Sequence, residues 1–318
     1  MRDTVTAPPA PTAVSLRHLT GPDALDRTAI EHVLERAAAF EQGVEIVGGR
    51  LQGRLLATVF YEPSTRTRFS FEAAMYRLAG QVLSAENATR ASSAAKGESL
   101  EDAIRVIGGY ADGIVLRHPD VGAADRAASV AAVPVINAGD GPGHHPTQAL
   151  LDLYTIKKEL GRLDHLRIGL AGDLRNGRTV RSLAVLLSRF PGNELVLISP
   201  AALRMREDII GSLEQARQAV HETEDFAGAI LGLDILYQTR IQAERFDSAE
   251  EYERYRGVYV LTVEVMRHLP AHAIVMHPLP RVGEIDPLID ADPRAAYFRQ
   301  ARNGLWIRMA VLDWAMAR

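Results

Sequence analysis

The chain has 318 residues, 47% of them hydrophobic, with a formal net charge of −4 at neutral pH and no cysteine. That length and apolar content support two ordinary domains with full cores. The charge leaves no basic footprint for nucleic acid, the missing cysteines exclude disulfides, zinc-thiolate sites and cysteine nucleophiles, and no apolar run reaches membrane-spanning length.

Residues 1–15 are rich in Pro, Ala and Thr and read as a disordered tail without an apolar signal core. With the cysteine-free composition this points to a cytoplasmic protein. Of 36 basic residues 33 are arginine, and lysine occurs only at Lys96, Lys157 and Lys158. Residues 23–45 carry helical periodicity through Leu25, Ile30, Val33, Leu34, Ala37 and Phe40. Leu55-Leu56-Ala57-Thr58-Val59-Phe60 reads as a buried parallel strand. Phe71, Ala74, Met75 and Leu78 then repeat at helical spacing, so Ser64-Thr65-Arg66-Thr67 sits at a strand-to-helix turn. A helix N-terminus offers unpaired N–H groups and the positive end of the dipole, and here three hydroxyls and the guanidiniums of Arg66 and Arg68 crowd it. This is chemistry for gripping a phosphate; the plain alternative is a Ser/Thr cap with solvated arginines. Residues 83–97, small and polar, read as one long surface loop.

Residues 113–116 form a second apolar strand, followed by Arg117-His118-Pro119. A third, residues 133–138, ends in the glycine-rich turn before His145-Pro146-Thr147-Gln148, which opens the next helix. Ligands of open α/β sheets bind outside the carboxyl ends of the strands, where these polar residues lie. A second domain starts with a strand at 166–171. The turn that follows it, residues 172–179, has neither G-x-G-x-x-G nor Walker spacing, so a nucleotide site is unsupported. Further strands are read at 194–198, 234–237 and 273–276, and residues 244–255 as a second mobile loop. Arg178 and Arg240 sit just past strand ends. Two guanidinium forks in one cleft suit a dicarboxylate, although spacing alone leaves two solvated arginines equally open. His277-Pro278-Leu279-Pro280-Arg281 must end its strand, because proline lacks an N–H, and it leaves carbonyls free to accept from an –NH2 group. Residues 297–318 read as a helix.

The run Ser64-Thr65-Arg66-Thr67-Arg68 resembles the carbamoyl-phosphate signature of the aspartate/ornithine carbamoyltransferase family. The resemblance continues in order through Ser92 with Lys96, Arg117-His118-Pro119, His145-Pro146-Thr147-Gln148, Arg178, Arg240 with Gln242, and His277-Pro278-Leu279-Pro280-Arg281, over about residues 16–318. It implies an α/β fold of two doubly wound parallel-sheet domains with the active site in the cleft between them. Residues 16–147 would bind carbamoyl phosphate, residues 148–300 the amino acid, and a C-terminal helix at 301–318 would pack back on the first domain. Carbamoyl phosphate would be held by Ser64, Thr65, Arg66, Thr67, Ser92, Lys96, Arg117, His145, Gln148 and the carbonyls of Leu279 and Pro280, with Arg66, Thr67, Arg117 and His145 catalytic. Lys96, Arg178, Arg240 and Gln242 would hold aspartate.

In the family Ser92 and Lys96 act in the neighbouring subunit's site, so the resemblance also implies a homotrimer with shared sites. No cofactor and no metal is implied; regulatory or dihydroorotase partner chains are left open. Ornithine-specific members carry a cysteine in His-Cys-Leu-Pro, absent here, which favours aspartate. The implied reaction is transfer of the carbamoyl group to the amine of L-aspartate, giving N-carbamoyl-L-aspartate and phosphate in pyrimidine biosynthesis. A carbamoyltransferase for another acidic amine and a non-catalytic binding paralogue are the alternatives. The chain departs from the family pattern at Ala95, often lysine in aspartate-specific members, and at Gly283, more often an acid.

Overall fold

A computed structural model describes residues 16–43, 49–87, 97–241 and 248–317. It contains two parallel sheets. The first is built from β1 (Leu55–Phe60), β2 (Gln81–Glu86), β3 (Gly113–His118) and β4 (Val135–Asp140), in the order β2-β1-β3-β4. The second comprises β5 (Arg167–Ala171), β6 (Glu194–Ile198), β7 (Ala219–Thr223), β8 (Ile235–Gln238) and β9 (Ile274–Met276), in the order β7-β6-β5-β8-β9. The principal helices are α1 (Arg27–Gln42), α2 (Thr65–Arg77), α3 (Leu100–Gly108), α4 (Ala123–Val130), α5 (Pro146–Leu160), α6 (Arg178–Leu187) and α7 (Glu207–Gln215). Three short helices, α8 (Phe226–Ala229), α9 (Ala249–Tyr255) and α10 (Val263–Met266), precede the long α11 (Tyr297–Met316). The expected fold class, two doubly wound parallel-sheet α/β units, is the one observed.

Strand alternation covers both faces of each sheet with side chains. Leu56 and Phe60 of β1 point into the core under α1, α2 and α11, while Ala57 and Val59 join the cluster beneath α3 and α4. In the second sheet Ile168, Leu195, Leu197 and Tyr237 face the first of these cores, and Val196, Ile198 and Leu236 the opposite one. The shared core runs along α5, whose residues from Pro146 to Ile156 are nearly all buried, and along α11. Near its end α11 is tied to the first unit by Asp313, which accepts from Arg36 Nε and Arg50 Nε, each at 2.7 Å.

Two elements differ from the sequence reading. Part of the expected loop at 83–97 is β2, and β7 was not foreseen. Both are outer strands with mostly exposed side chains, so neither carries the apolar run that marks an inner parallel strand. The stretch read as a second loop contains α9.

Both sheets reverse strand order once, between β1 and β3 and between β5 and β8. The loops leaving β1, β3, β4, β5, β8 and β9 at their carboxyl ends meet in one cleft of about 1100 Å³, the position open α/β sheets reserve for ligands.

Candidate active site in the cleft between the sheets

Phosphate chemistry starts at α2. Ser64 is its N-cap, yet the hydroxyl makes no capping bond. The first helical bond runs from Arg68 N to Ser64 O at 3.0 Å, so the amides of Thr65, Arg66 and Thr67 lie ahead of it without an intrahelical acceptor. Ser64, Thr65, Arg66 and Thr67 all line the cleft. Arg66 reaches across it, its Nη2 donating to Leu279 O at 3.0 Å. Arg68 does not join them: it turns away to Glu86, with Nη2 at 3.1 Å from Oε2. Residues i and i+2 of a helix point in different directions, so only one of the two arginines can face the cleft.

Arg117 leaves β3 and donates from Nη1 to Ala138 O at 3.2 Å, with Glu62 Oε2 3.3 Å from its Nη2. Arg178 opens α6 and donates from Nη1 to Gly141 O at 2.7 Å. These arginines belong to different sheets, and Gly139 lets them approach. Its φ is +116°, and a Cβ there would lie 2.8 Å from Arg117 Nη1 and 3.0 Å from Arg178 Cζ. Arg240, following β8, lines the same cleft.

His145 caps α5 and is 4% exposed. Its backbone N–H donates to Ser182 Oγ on α6 at 3.1 Å. Ring nitrogen Nδ1 is buried and has no hydrogen-bond partner among the described residues, which leaves Nε2 for the cleft. Burial first, then the charges of Arg178, Arg117 and Arg308, push its pKa well below the ordinary value. The imidazole is therefore neutral at pH 7 and serves as a single donor.

After β9, His277 sets the shape of the next loop. Its Nδ1 accepts from Leu279 N at 2.8 Å, so the proton is on Nε2, which donates to Glu284 Oε1 at 2.7 Å. The Leu279–Pro280 peptide bond is cis and Leu279 has a φ of +52°. That left-handed conformation is costly for leucine, and the bonds through His277 hold it. Leu279 and Pro280 line the cleft opposite α2.

Two functional groups escaped the sequence reading. Arg308, on α11, lines the cleft although it is 4% exposed. Its guanidinium stacks 5.2 Å from the Phe71 ring centroid, and burial lowers its pKa to about 10, so it stays charged. The second is Asp152, fully buried in α5, which accepts from Gln148 Nε2 at 2.9 Å, Gln300 Nε2 at 2.7 Å and Tyr237 OH at 2.9 Å. A charge embedded in the apolar stripe of a helix, as in Leu151-Asp152-Leu153 and Ile307-Arg308-Met309, was the available signal.

Of the sequence-predicted residues the cleft gathers Ser64, Thr65, Arg66, Thr67, Arg117, His145, Gln148, Arg178, Arg240, Leu279 and Pro280. Ser92, Lys96 and Gln242 lie outside the described residues. Among the described lining residues five are arginines and one, Glu62, is acidic. Such a cleft takes a polyanion, with hydroxyl and amide donors at one end and guanidinium forks at the other.

Comparison with known proteins agrees with this geometry. Residues 17–158 match the profile of the aspartate/ornithine carbamoyltransferase carbamoyl-P binding domain, and residues 164–315 that of the Asp/Orn binding domain. An Oryza sativa protein named aspartate carbamoyltransferase, chloroplastic, is 54% identical over 90% of this chain and 81% of its own. The aspartate carbamoyltransferase catalytic subunit of Methanothrix thermoacetophila is 50% identical over 93% and 97%. Among solved structures, the catalytic subunit of M. jannaschii aspartate transcarbamoylase superposes with a TM-score of 0.86 at 47% identity, covering 94% of this chain and 97% of that one. The Trypanosoma cruzi aspartate transcarbamoylase in complex with N-(phosphonacetyl)-L-aspartic acid gives 0.88 at 41% identity, covering 95% and 96%. The chain belongs to the aspartate/ornithine carbamoyltransferase family.

Proposed function

We propose that the chain transfers the carbamoyl group of carbamoyl phosphate to the amine of L-aspartate, forming N-carbamoyl-L-aspartate and phosphate. One observation carries this reading: five guanidiniums from both sheets and α11 converge with the N-terminus of α2 on a single cleft. The T. cruzi relative has been solved with carbamoyl phosphate and aspartate bound together, which supports the same pair of ligands here.

In this reading the amides of Thr65, Arg66 and Thr67, with the Ser64 and Thr65 hydroxyls and the Arg66 guanidinium, hold the phosphate. Thr67, Arg117 and neutral His145 donate to the carbamoyl oxygen, whose charge grows as the amine attacks the carbon. The tetrahedral centre collapses by breaking the carbon–oxygen bond to phosphate, and the leaving phosphate accepts the amine proton. The carbonyls of Leu279 and Pro280 accept from the carbamoyl –NH2; the Leu279 oxygen has a second lone pair beside its bond from Arg66. Arg178 and Arg240, with Gln242 and Lys96, grip the two aspartate carboxylates. Rate acceleration then comes from positioning and charge stabilisation.

The active unit in this proposal is a homotrimer in which Ser92 and Lys96 complete a neighbour's site. Exposed apolar side chains on α2 and β2, Phe69, Tyr76 and Leu83, offer surface for contact with a neighbouring subunit and support this reading. The absence of cysteine suits a reducing cytoplasm, where we place the protein. The decisive assay follows phosphate and N-carbamoyl-L-aspartate with L-aspartate as acceptor and succinate as the unreactive competitor. Binding of both ligands without turnover would make the chain a binding paralogue. Hybrids of an Arg66→Ala protomer with a Ser92→Ala/Lys96→Ala protomer should regain activity, and none would argue against shared sites.

A further inference from the structure

We propose that Asp152, a residue that does not reach the cleft, sets the hydrogen-bond polarity of Gln148 and so makes the pocket select an –NH2 group beside the phosphate. This rests on the carbamoyl-phosphate reading above and deepens it.

The polarity is legible because one end of the network is pinned by the backbone. The His277 amide can only donate, and it donates to Gln300 Oε1 at 2.9 Å. The other end of the Gln300 amide is then –NH2, and Nε2 donates to Asp152 Oδ1 at 2.7 Å. Oδ1 also faces Gln148 Nε2 at 2.9 Å, and Oδ2 accepts from Tyr237 OH at 2.9 Å. Burial raises the Asp152 pKa to about 7; above that pH the group is a carboxylate, an acceptor only, and Gln148 must turn its –NH2 inward. Gln148 lines the cleft, and the polar atom it has left to offer is Oε1, an acceptor. The peptide donor at His277 also precedes the loop that presents the Leu279 and Pro280 carbonyls. One buried chain of bonds thus arranges acceptors on both sides of the carbamoyl nitrogen, and Asp152 is its junction, touching α5, β8 and α11.

The proposal separates from a merely structural role through ligand discrimination. Acetyl phosphate has a methyl group where carbamoyl phosphate has –NH2, and inorganic phosphate has neither. The native protein should bind carbamoyl phosphate more tightly than acetyl phosphate. Asp152→Leu keeps much of the side-chain volume but removes both acceptors, so nothing holds the Gln148 –NH2 inward and the amide can turn a donor to the cleft. Carbamoyl phosphate affinity should fall about ten- to hundredfold, acetyl phosphate should change little, and inorganic phosphate should bind as before. In Asp152→Leu/Gln148→Glu the side chain at 148 can only accept, whichever way it turns, and again offers an acceptor to the cleft. Discrimination should recover in this double variant beyond the product of the single effects.

Equal losses for all three ligands in Asp152→Leu, or unchanged discrimination, would overturn the proposal. So would the absence of coupling between positions 148 and 152 in variants with native circular dichroism. If the native protein itself fails to prefer carbamoyl phosphate over acetyl phosphate, the carbamoyl-phosphate reading falls instead, and the role of Asp152 with it.

Discussion

Replacing Gly139 with alanine tests whether the two halves of the site work as one. The added Cβ would stand 2.8 Å from Arg117 Nη1 and 3.0 Å from Arg178 Cζ, where ordinary contact begins at 3.4 Å. Both guanidiniums must retreat, that of Arg117 by about 0.6 Å at its nearest atom. They are the ends of flexible side chains, so the clash itself is cheap in stability. The φ of +116° adds backbone strain of about 1–3 kcal/mol for a residue with a Cβ. Thermal unfolding should therefore fall by no more than about ten degrees. The effect on chemistry should be larger. Displacing an oxyanion donor and a carboxylate fork by this much costs about a hundredfold in kcat/KM. Gly141→Ala is the contrast: its Cβ would lie 1.8 Å from the Pro119 carbonyl oxygen, a backbone atom unable to move aside, and that variant should fail to fold. Steady-state formation of N-carbamoyl-L-aspartate, with melting curves alongside, separates the two. A Gly139→Ala protein with native kcat/KM would refute the convergence of Arg117 and Arg178 on one substrate pair.

His145→Ala should lower kcat about a hundred- to thousandfold with the fold intact; unchanged turnover removes His145 from the mechanism. Because burial and three neighbouring arginines push the His145 pKa well below 6.5, protonating it is penalised in the folded state. Its contribution to stability is complete above pH 6.5 and shrinks as pH falls below that value. Nitrogen NMR of the ring should show a neutral imidazole at pH 6, and titration near 6.5 would contradict burial and arginine repulsion as the cause. Glu284→Gln removes the carboxylate that holds His277 Nε2 and accepts from Val282 N at 2.9 Å. The freed Leu279–Pro280 loop should raise the KM of carbamoyl phosphate roughly tenfold while inorganic phosphate binding at α2 is unaffected; a parallel loss of phosphate would place the effect elsewhere.

The elements that were easy to read are those with strong local causes. Leu55–Phe60 is apolar throughout because both its faces are covered, and Ser64 to Thr67 follow it at a turn where only a helix N-terminus fits. The edge strands β2 and β7 were hidden because solvent takes most of their side chains, so nothing in their composition demands a sheet. Arg66 and Arg68 looked equivalent in the linear chain, and helix geometry sends only the first to the cleft while the second pairs with Glu86.

The amino-acid sequence by itself determined the family, the parallel α/β class and the chemistry of the strand ends, since these depend on hydrophobic runs and on residues adjacent along the chain. Tertiary structure alone decided how those strand ends combine. Arg308 and Asp152 lie far from the early motifs in the chain and acquire their roles only when α5 and α11 pack together beneath both sheets. Burial then lowers the pKa of His145 and raises that of Asp152 to about 7. A residue's charge and hydrogen-bond polarity depend on which groups exclude water around it, and that is a property of the folded chain.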